Sequence, residues 1–340
     1  MGTIPIARRS RFRWATSLRA ALATLGLAGC VQVSPWPSVL LIRSIFDSSG
    51  QQASAALEKH VPISVGSTLN LQYDAADPQA LLDVYRLATT ADQVQLPTIV
   101  WIHGGGFIAG TKAEIANYAR ILAARGYAVV AVDYSVAPEA KYPTPVVQVN
   151  RALGYLLANA QVLHIDGHRF VLAGDSAGAQ IAAQVANLIS SPNYAEAMGI
   201  VPALTREQLR GTILFCGPFD AQLFDLKHPS WFISTVLRSY TGRTDFWNMP
   251  QFDKFSVVAY VTSDFPPTFI SVGNGDPLQP HSYRMAQALE QKSVRVDSLF
   301  YPKDHVPPLP HEYQFNLDDK DGQEALRRLD AFLRSELAQP

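Results

Sequence analysis

A serine stands between two glycines in Gly174-Asp175-Ser176-Ala177-Gly178. An apolar run, Arg169 to Ala173, leads into it, and a stretch of small and apolar residues with helical character, Ala177 to Ile189, follows. This is the G-x-S-x-G pattern of a nucleophile at a strand-to-helix junction. The chain turns so tightly there that the serine backbone is strained and the positions two residues to either side have no room for side chains. The hydroxyl is then lifted clear of the sheet, at the positive end of the following helix. A small-residue turn that merely contains a serine would look the same over five residues, so the reading depends on partners elsewhere.

A serine that attacks a carbonyl needs a base for its proton, an acid to orient that base, and donors for the oxyanion. Candidate donors lie in His103-Gly104-Gly105-Gly106-Phe107, directly after the β-branched run Thr98 to Ile102. Glycines let backbone N–H groups approach a substrate oxygen where side chains would block them. One such donor is worth about 3–4 kcal/mol of barrier. A phosphate-binding loop is excluded, because no Lys-Ser/Thr pair follows in the required frame. His103 reads as a brace for its own loop rather than as the base.

With both motifs in place, the chain resembles the hormone-sensitive-lipase-like esterases, a family of α/β-hydrolases. It shares the H-G-G-G loop and the G-D-S-A-G elbow. Between them, Asp133-Tyr134-Ser135-Val136-Ala137-Pro138-Glu139 and Tyr142-Pro143 resemble the family's D-Y-R-L-A-P-E…F-P segment, with Ser135 in place of the usual arginine. The resemblance runs from about Leu69 to the C-terminus. It implies oxyanion donors at Gly105, Gly106 and Ala177, with Gly104 an open alternative.

In such folds the acid and base follow the serine in that order. Asp276, in Gly275-Asp276-Pro277-Leu278, resembles the family's D-P-L acid and follows the run Thr268 to Val272. Loops at the carboxyl ends of parallel strands are where such sheets place their chemistry. Asp264 precedes that strand and Asp297 lies inside another, which points to structural roles. For the base, Asp304-His305 resembles the family's D-H and comes immediately after the last strand, so His305 is the expectation. The family often carries an aromatic shortly afterwards, whereas Val306-Pro307-Pro308 follows here; His311, in His311-Glu312-Tyr313, is the rival. His60, His164, His168, His228 and His281 have no comparable setting.

Strands are expected at Leu69–Tyr73, Leu81–Leu87, Thr98–Ile102, Tyr127–Asp133, Phe170–Ala173, Gly211–Cys216, Thr268–Val272 and Val294–Tyr301. Helices are expected at Lys112–Arg125, Pro145–Ala160, Ala177–Ile189, Ser282–Gln291 and Gln323–Leu337. The alternation predicts an α/β-hydrolase fold, with a mostly parallel central sheet and helices on both faces. One interval breaks it: residues 219–262, rich in aromatics such as Trp231, Phe232, Phe246, Trp247, Phe252 and Phe255, read as an inserted cap. The hydrolase domain is placed at residues 61–340. Residues 30–60, with an apolar stretch Val39–Phe46 and a helical pattern Gln51–His60, are an extension that lies on the hydrolase lobe as part of a cap or on a membrane surface.

The 340 residues carry a formal net charge of −1, which gives no reason to expect nucleic acid as a partner. No H-E-x-x-H or clustered ligand spacing implies a metal, and no cofactor is expected. The two cysteines, Cys30 and Cys216, do not make a disulfide framework. Cys216 sits in an apolar run and reads as a core thiol. Residues 1–29 read as a lipoprotein-type signal: Arg8, Arg9, Arg11, Arg13 and Arg19 precede an apolar run, Ala20–Ala28, too short to span a bilayer. Leu27-Ala28-Gly29-Cys30 resembles a bacterial lipobox, which implies lipidation of Cys30 and a lipid-anchored protein of the cell envelope; ordinary secretion or a periplasmic location is the alternative.

The expected activity is hydrolysis of small carboxylic esters of short or medium acyl chains through an acyl-enzyme. An amidase, formamidase or acyltransferase with the same triad is the second reading. A non-catalytic binding protein on a hydrolase scaffold is the third, although that class usually loses the serine or the histidine.

Overall fold

The computed structural model describes residues 34–90, 94–249 and 252–338. The expected signal segment and Cys30 lie outside these residues. Among the described residues, eight strands form one sheet in the order β1-β2-β4-β3-β5-β6-β7-β8. They are β1 (Val65–Gln72), β2 (Leu81–Leu87), β3 (Leu96–Ile102), β4 (Ala128–Val132), β5 (Ile165–Asp175), β6 (Leu209–Phe215), β7 (Thr268–Val272) and β8 (Val296–Phe300). The β1–β2 and β2–β4 pairs are antiparallel and the rest are parallel. The long helices are α1 (Trp36–Leu57), α2 (Lys112–Ala123), α3 (Thr144–Ala158), α4 (Ser176–Ser190), α5 (Trp231–Thr241), α6 (Gln279–Gln291) and α7 (Lys320–Leu337).

The central strands are apolar at nearly every position because both faces of the sheet are covered. Alternate residues supply two cores. Val100, Ile102, Val130, Leu172 and Leu214 meet one set of helices, with Val149 of α3, Ile181 of α4 and Met285 of α6. Ile99, Trp101, Val129, Val171 and Ile213 face the other way, onto Tyr118 of α2 and Leu329 of α7. The pleat thereby divides a continuous apolar run between two layers. The parallel order brings the carboxyl ends of β3, β5, β6 and β7 to one edge, where the loops carrying His103, Ser176, Cys216 and Asp276 begin.

Two helical pieces lie over that edge. One is the segment between β6 and β7, which contains α5. The other is α1. The helical pattern expected at Gln51–His60 continues the apolar stretch before it: α1 runs unbroken from Trp36 to Leu57, and a 3₁₀ turn follows at Glu58–His60. A Cβ on Gly50 would stand 2.5 Å from Oε2 of Glu114 on α2, so the two helices lie close together there. Arg43 holds α1 onto the lobe. Its guanidinium donates to the carbonyl oxygens of Ile108 and Ala137 at 2.6 and 2.9 Å, and pairs with Glu139 at 2.6 Å. Phe46 of α1 meets Phe232 of α5 with ring centroids 5.8 Å apart. The segment after residue 34 is therefore a part of the cover over the sheet edge.

Candidate active site

Ser176 sits where β5 turns into α4, with φ at +51°, in the left-handed region that a non-glycine residue rarely takes. The flanking glycines show why the turn needs them. A Cβ on Gly174 would lie 2.5 Å from the carbonyl carbon of Gly178, and one on Gly178 would lie 2.0 Å from the carbonyl oxygen of Ile102. The steric reading of the motif holds at atomic detail. Asp175 anchors the elbow: it is buried, and its carboxylate accepts from Trp101 Nε1 at 2.7 Å and from the backbone N–H of Gly104. Burial, with Glu312 adding to it, pushes this carboxyl well above its usual range.

The glycine loop is braced from below. His103 is buried, its Nδ1 lies 2.9 Å from the carbonyl oxygen of Gly104, and its ring stacks on Tyr134 at 4.3 Å. The Tyr134 hydroxyl donates to the carbonyl oxygens of His103 and Gly104 at 3.0 and 3.1 Å. Burial holds the His103 imidazole below its usual range, so it stays a neutral structural ring. Gly105 and Gly106 have φ of +97° and +60°, and a Cβ on Gly105 would lie 2.1 Å from the carbonyl oxygen of Ala109. The N–H of Gly104 is given to Asp175, while Ala177 lies in the first turn of α4, where N–H groups have no intrahelical acceptor. Ser135, at the usual arginine position, bonds to Gln148 instead: its N–H donates to Oε1 at 2.8 Å and its hydroxyl accepts from Nε2 at 2.8 Å.

Asp276 is buried in the loop after β7. Its Oδ1 accepts the N–H of Leu278 at 2.7 Å, and its Oδ2 lies 2.7 Å from Nδ1 of His311. Nε2 of His311 lies 3.0 Å from Ser176 Oγ. The three side chains form a continuous relay from carboxylate to imidazole to hydroxyl. Asp264 and Asp297 stay outside it: Arg206 binds the Asp264 carbonyl, and Arg328 pairs with the Asp297 carboxylate.

The expectation for His305 is corrected. That imidazole turns toward α7, where its Nε2 pairs with Asp321 at 3.0 Å and its ring packs on Tyr301. The reason is the length and stiffness of the chain after β8. Pro302, Pro307, Pro308 and Pro310 keep it out of regular structure past His305, and Asn274 clamps it. Asn274 Oδ1 accepts the N–H of Leu309 at 2.8 Å, and its Nδ2 donates to the carbonyl of His305 at 3.0 Å. The chain reaches the serine only at His311. The usable signal is the aromatic at Tyr313, whose hydroxyl lies 2.7 Å from Ser271 Oγ and fixes the turn after His311.

The electrostatics of His311 follow from its neighbours. Burial opposes its cation, while Cys216, Asp276 and Glu312 favour it and prevail, so the imidazole is held above its usual range. Burial also pushes the Cys216 thiol up to about 11, which keeps that sulfur uncharged near neutral pH. Sulfur, carboxylate oxygen and ring nitrogen of Cys216, Asp276 and His311 lie within 4.8 Å of one another. Above the site, a Cβ on Gly106 would have Phe46, Phe232 and Val236 atoms at 3.5, 3.7 and 3.8 Å. The two covering helices thus supply an apolar wall beside the glycine loop.

The family described as the α/β-hydrolase fold matches residues 99–306. Esterase LipI of Mycobacterium tuberculosis is 29% identical over 218 residues, which span 63% of this chain and 66% of the relative. An ethyl acetate hydrolase of Pseudomonas putida is 26% identical over 209 residues, 60% of this chain and 63% of the relative. The chain thus spans somewhat less than two thirds of the length of these curated relatives. Among solved structures, an inhibited esterase B from Lactobacillus rhamnosis shares the fold at a TM-score of 0.74 and 22% identity, covering 88% of this chain and 98% of that one. A hyperthermophilic esterase from Pyrobaculum calidifontis does so at 0.70 and 23%, covering 95% and 98%. The matched segment contains the glycine loop and the serine elbow and stops just short of His311, and on it the chain belongs to the α/β-hydrolase family, on its hormone-sensitive-lipase-like side.

Proposed function

We propose that the protein is a serine carboxylesterase acting on small esters of short or medium acyl chains. The observation that carries this is the hydrogen-bonded line Ser176–His311–Asp276 at 3.0 and 2.7 Å, set beside a glycine loop. Ser176 Oγ attacks the ester carbonyl carbon while its proton passes to His311 Nε2. Asp276 holds the tautomer with Nδ1–H and stabilises the cation. The N–H groups of Gly105, Gly106 and Ala177 take the oxyanion. As the tetrahedral intermediate collapses, the carbon–oxygen bond to the alcohol breaks and His311 returns its proton to the leaving oxygen. Water then repeats the sequence on the acyl-enzyme, releasing the acid and restoring Ser176. The apolar wall of Phe46, Phe232 and Val236 close to Gly106 supports a small acyl group.

Turnover of p-nitrophenyl acetate and butyrate, lost in Ser176→Ala, tests the reading. Equal activity of that variant, or none in the native protein, would sink it. Faster turnover of matched amides, or transfer to added alcohols in place of hydrolysis, would favour the amidase or acyltransferase reading. Attachment to a membrane through a lipidated Cys30 is proposed alongside. In support, Trp36, Leu40, Leu41 and Ile45 of α1 are exposed, a short distance after that cysteine. No helix among the described residues is long and apolar enough to cross a membrane. Cys30→Ala should release the protein from membranes; unchanged fractionation would refute the anchor.

A further inference from the structure

Glu312 follows the histidine that reaches the serine, and three observations set it apart. Its Oε1 lies 3.6 Å from His311 Nε2, the nitrogen that faces Ser176, so His311 has carboxylates at both ends of its ring. Its backbone φ is +59°, a left-handed conformation that a glutamate seldom adopts. The chain on its far side is pinned, since Tyr313 Oη meets Ser271 Oγ at 2.7 Å and Gln314 Nε2 donates to the Ser271 carbonyl at 3.0 Å. The side chain is thereby held at the site rather than released to solvent, with 34% of it exposed. The same Oε1 would stand 3.1 Å from a Cβ on Gly104, so the carboxylate is packed between the base and the glycine loop.

We propose that Glu312 is a positioning residue for the base: its carboxylate stabilises the imidazolium from the Nε2 side and raises the pH at which His311 becomes free to accept the serine proton. This rests on the esterase reading above. When Nε2 takes that proton, the new N–H and its positive charge lie between Asp276 and Glu312. The other groups facing this pair do not replace it. The Cys216 thiol and the Asp175 carboxyl are both pushed toward their neutral forms by burial. Glu114, on α2, is raised to about 7 by burial, with Asp47, Glu312 and Asp133 adding to the rise. Glu312 is therefore the partly solvated charge that acts on Nε2. Its openness to water weakens the effect, so removing it is worth about one pH unit rather than several.

The test is Glu312→Gln, which keeps the size and removes the charge. The acid limb of kcat/KM for p-nitrophenyl acetate should move down by about one pH unit. The His311 ring-proton titration, followed by NMR in the full chain, should move by the same amount. Glu312→Asp, which keeps the charge, should leave the limb above that of Glu312→Gln. A limb and a ring titration that both stay in place, even if the plateau falls, would overturn the proposal. A ring titration that moves in a protein without Ser176-dependent ester turnover would uphold the effect on His311 and overturn the esterase reading instead.

Discussion

Two histidines near the C-terminus compete for one role, and replacing each separates them. In His311→Ala both ring contacts vanish, the one to Ser176 at 3.0 Å and the one to Asp276 at 2.7 Å. Serine, base and acid act as a unit, so loss of the base alone removes most of what the unit supplies. A fall of about 10⁴ to 10⁶ in kcat/KM is expected, equivalent to about 5–8 kcal/mol of barrier. In His305→Ala the loss is of a different kind. Asp321 is buried and loses the partner at 3.0 Å. Stranding a buried polar group costs about 1–3 kcal/mol. Asp321 lies in the first turn of α7, where the helix dipole favours its charge, so the lower end applies. The melting temperature should drop by a few degrees, on the order of 2–4 °C per kcal/mol. Its kcat/KM should stay within about threefold, or about 0.7 kcal/mol of barrier. Initial rates on p-nitrophenyl acetate and thermal melts of both variants decide the matter. A His305→Ala enzyme that melts normally and has lost its activity, beside an active His311→Ala enzyme, would refute the assignment.

Gly178→Ala should fail to form the elbow, because its Cβ would be 2.0 Å from the Ile102 carbonyl oxygen. Soluble yield and activity should both collapse, and a well-folded active variant would contradict the packing. The pH dependence has a definite sign. Cys216, Asp276 and Glu312 together outweigh the burial of His311 and hold its folded-state pKa above the unfolded value of about 6.5. Its stabilising contribution is therefore full below that value and lost as pH rises through the folded one. Urea midpoints of the native protein and His311→Gln should differ most at pH of about 6 and converge toward alkaline pH. A gap that widens with pH would reverse the sign.

Much of the site was legible because steric demands leave few choices of residue. Gly174 and Gly178 are glycine since backbone atoms occupy the space of a side chain, and that exclusion can be read from spacing alone. Asp276 was legible because a loop leaving a strand's carboxyl end needs few residues to reach the site. Gly104 could not be sorted from its neighbours by spacing; its N–H is taken by Asp175, a contact made across the fold between two separate loops.

The position of the base exposes the limit of reading by proximity to a strand end. Distance along the chain from β8 favours His305, and a short turn there would have delivered it. What decides the outcome is where the loop is allowed to bend. Prolines at 302, 307, 308 and 310 deny helical return over most of the stretch. Asn274, two residues before Asp276, then ties Leu309 back onto the acid's own loop. Acid and histidine are thus brought together by Asn274 and by the N–H of Gly275, which donates to the Leu309 carbonyl at 2.9 Å, neither of which touches the hydroxyl or the imidazole. His305, freed of that duty, became a partner for Asp321 at the start of the last helix. The residue that resembles the family's base packs on the last helix, and the hydrogen bond to Ser176 belongs to the histidine whose backbone is fixed on both sides, by Asn274 before it and Tyr313 after it.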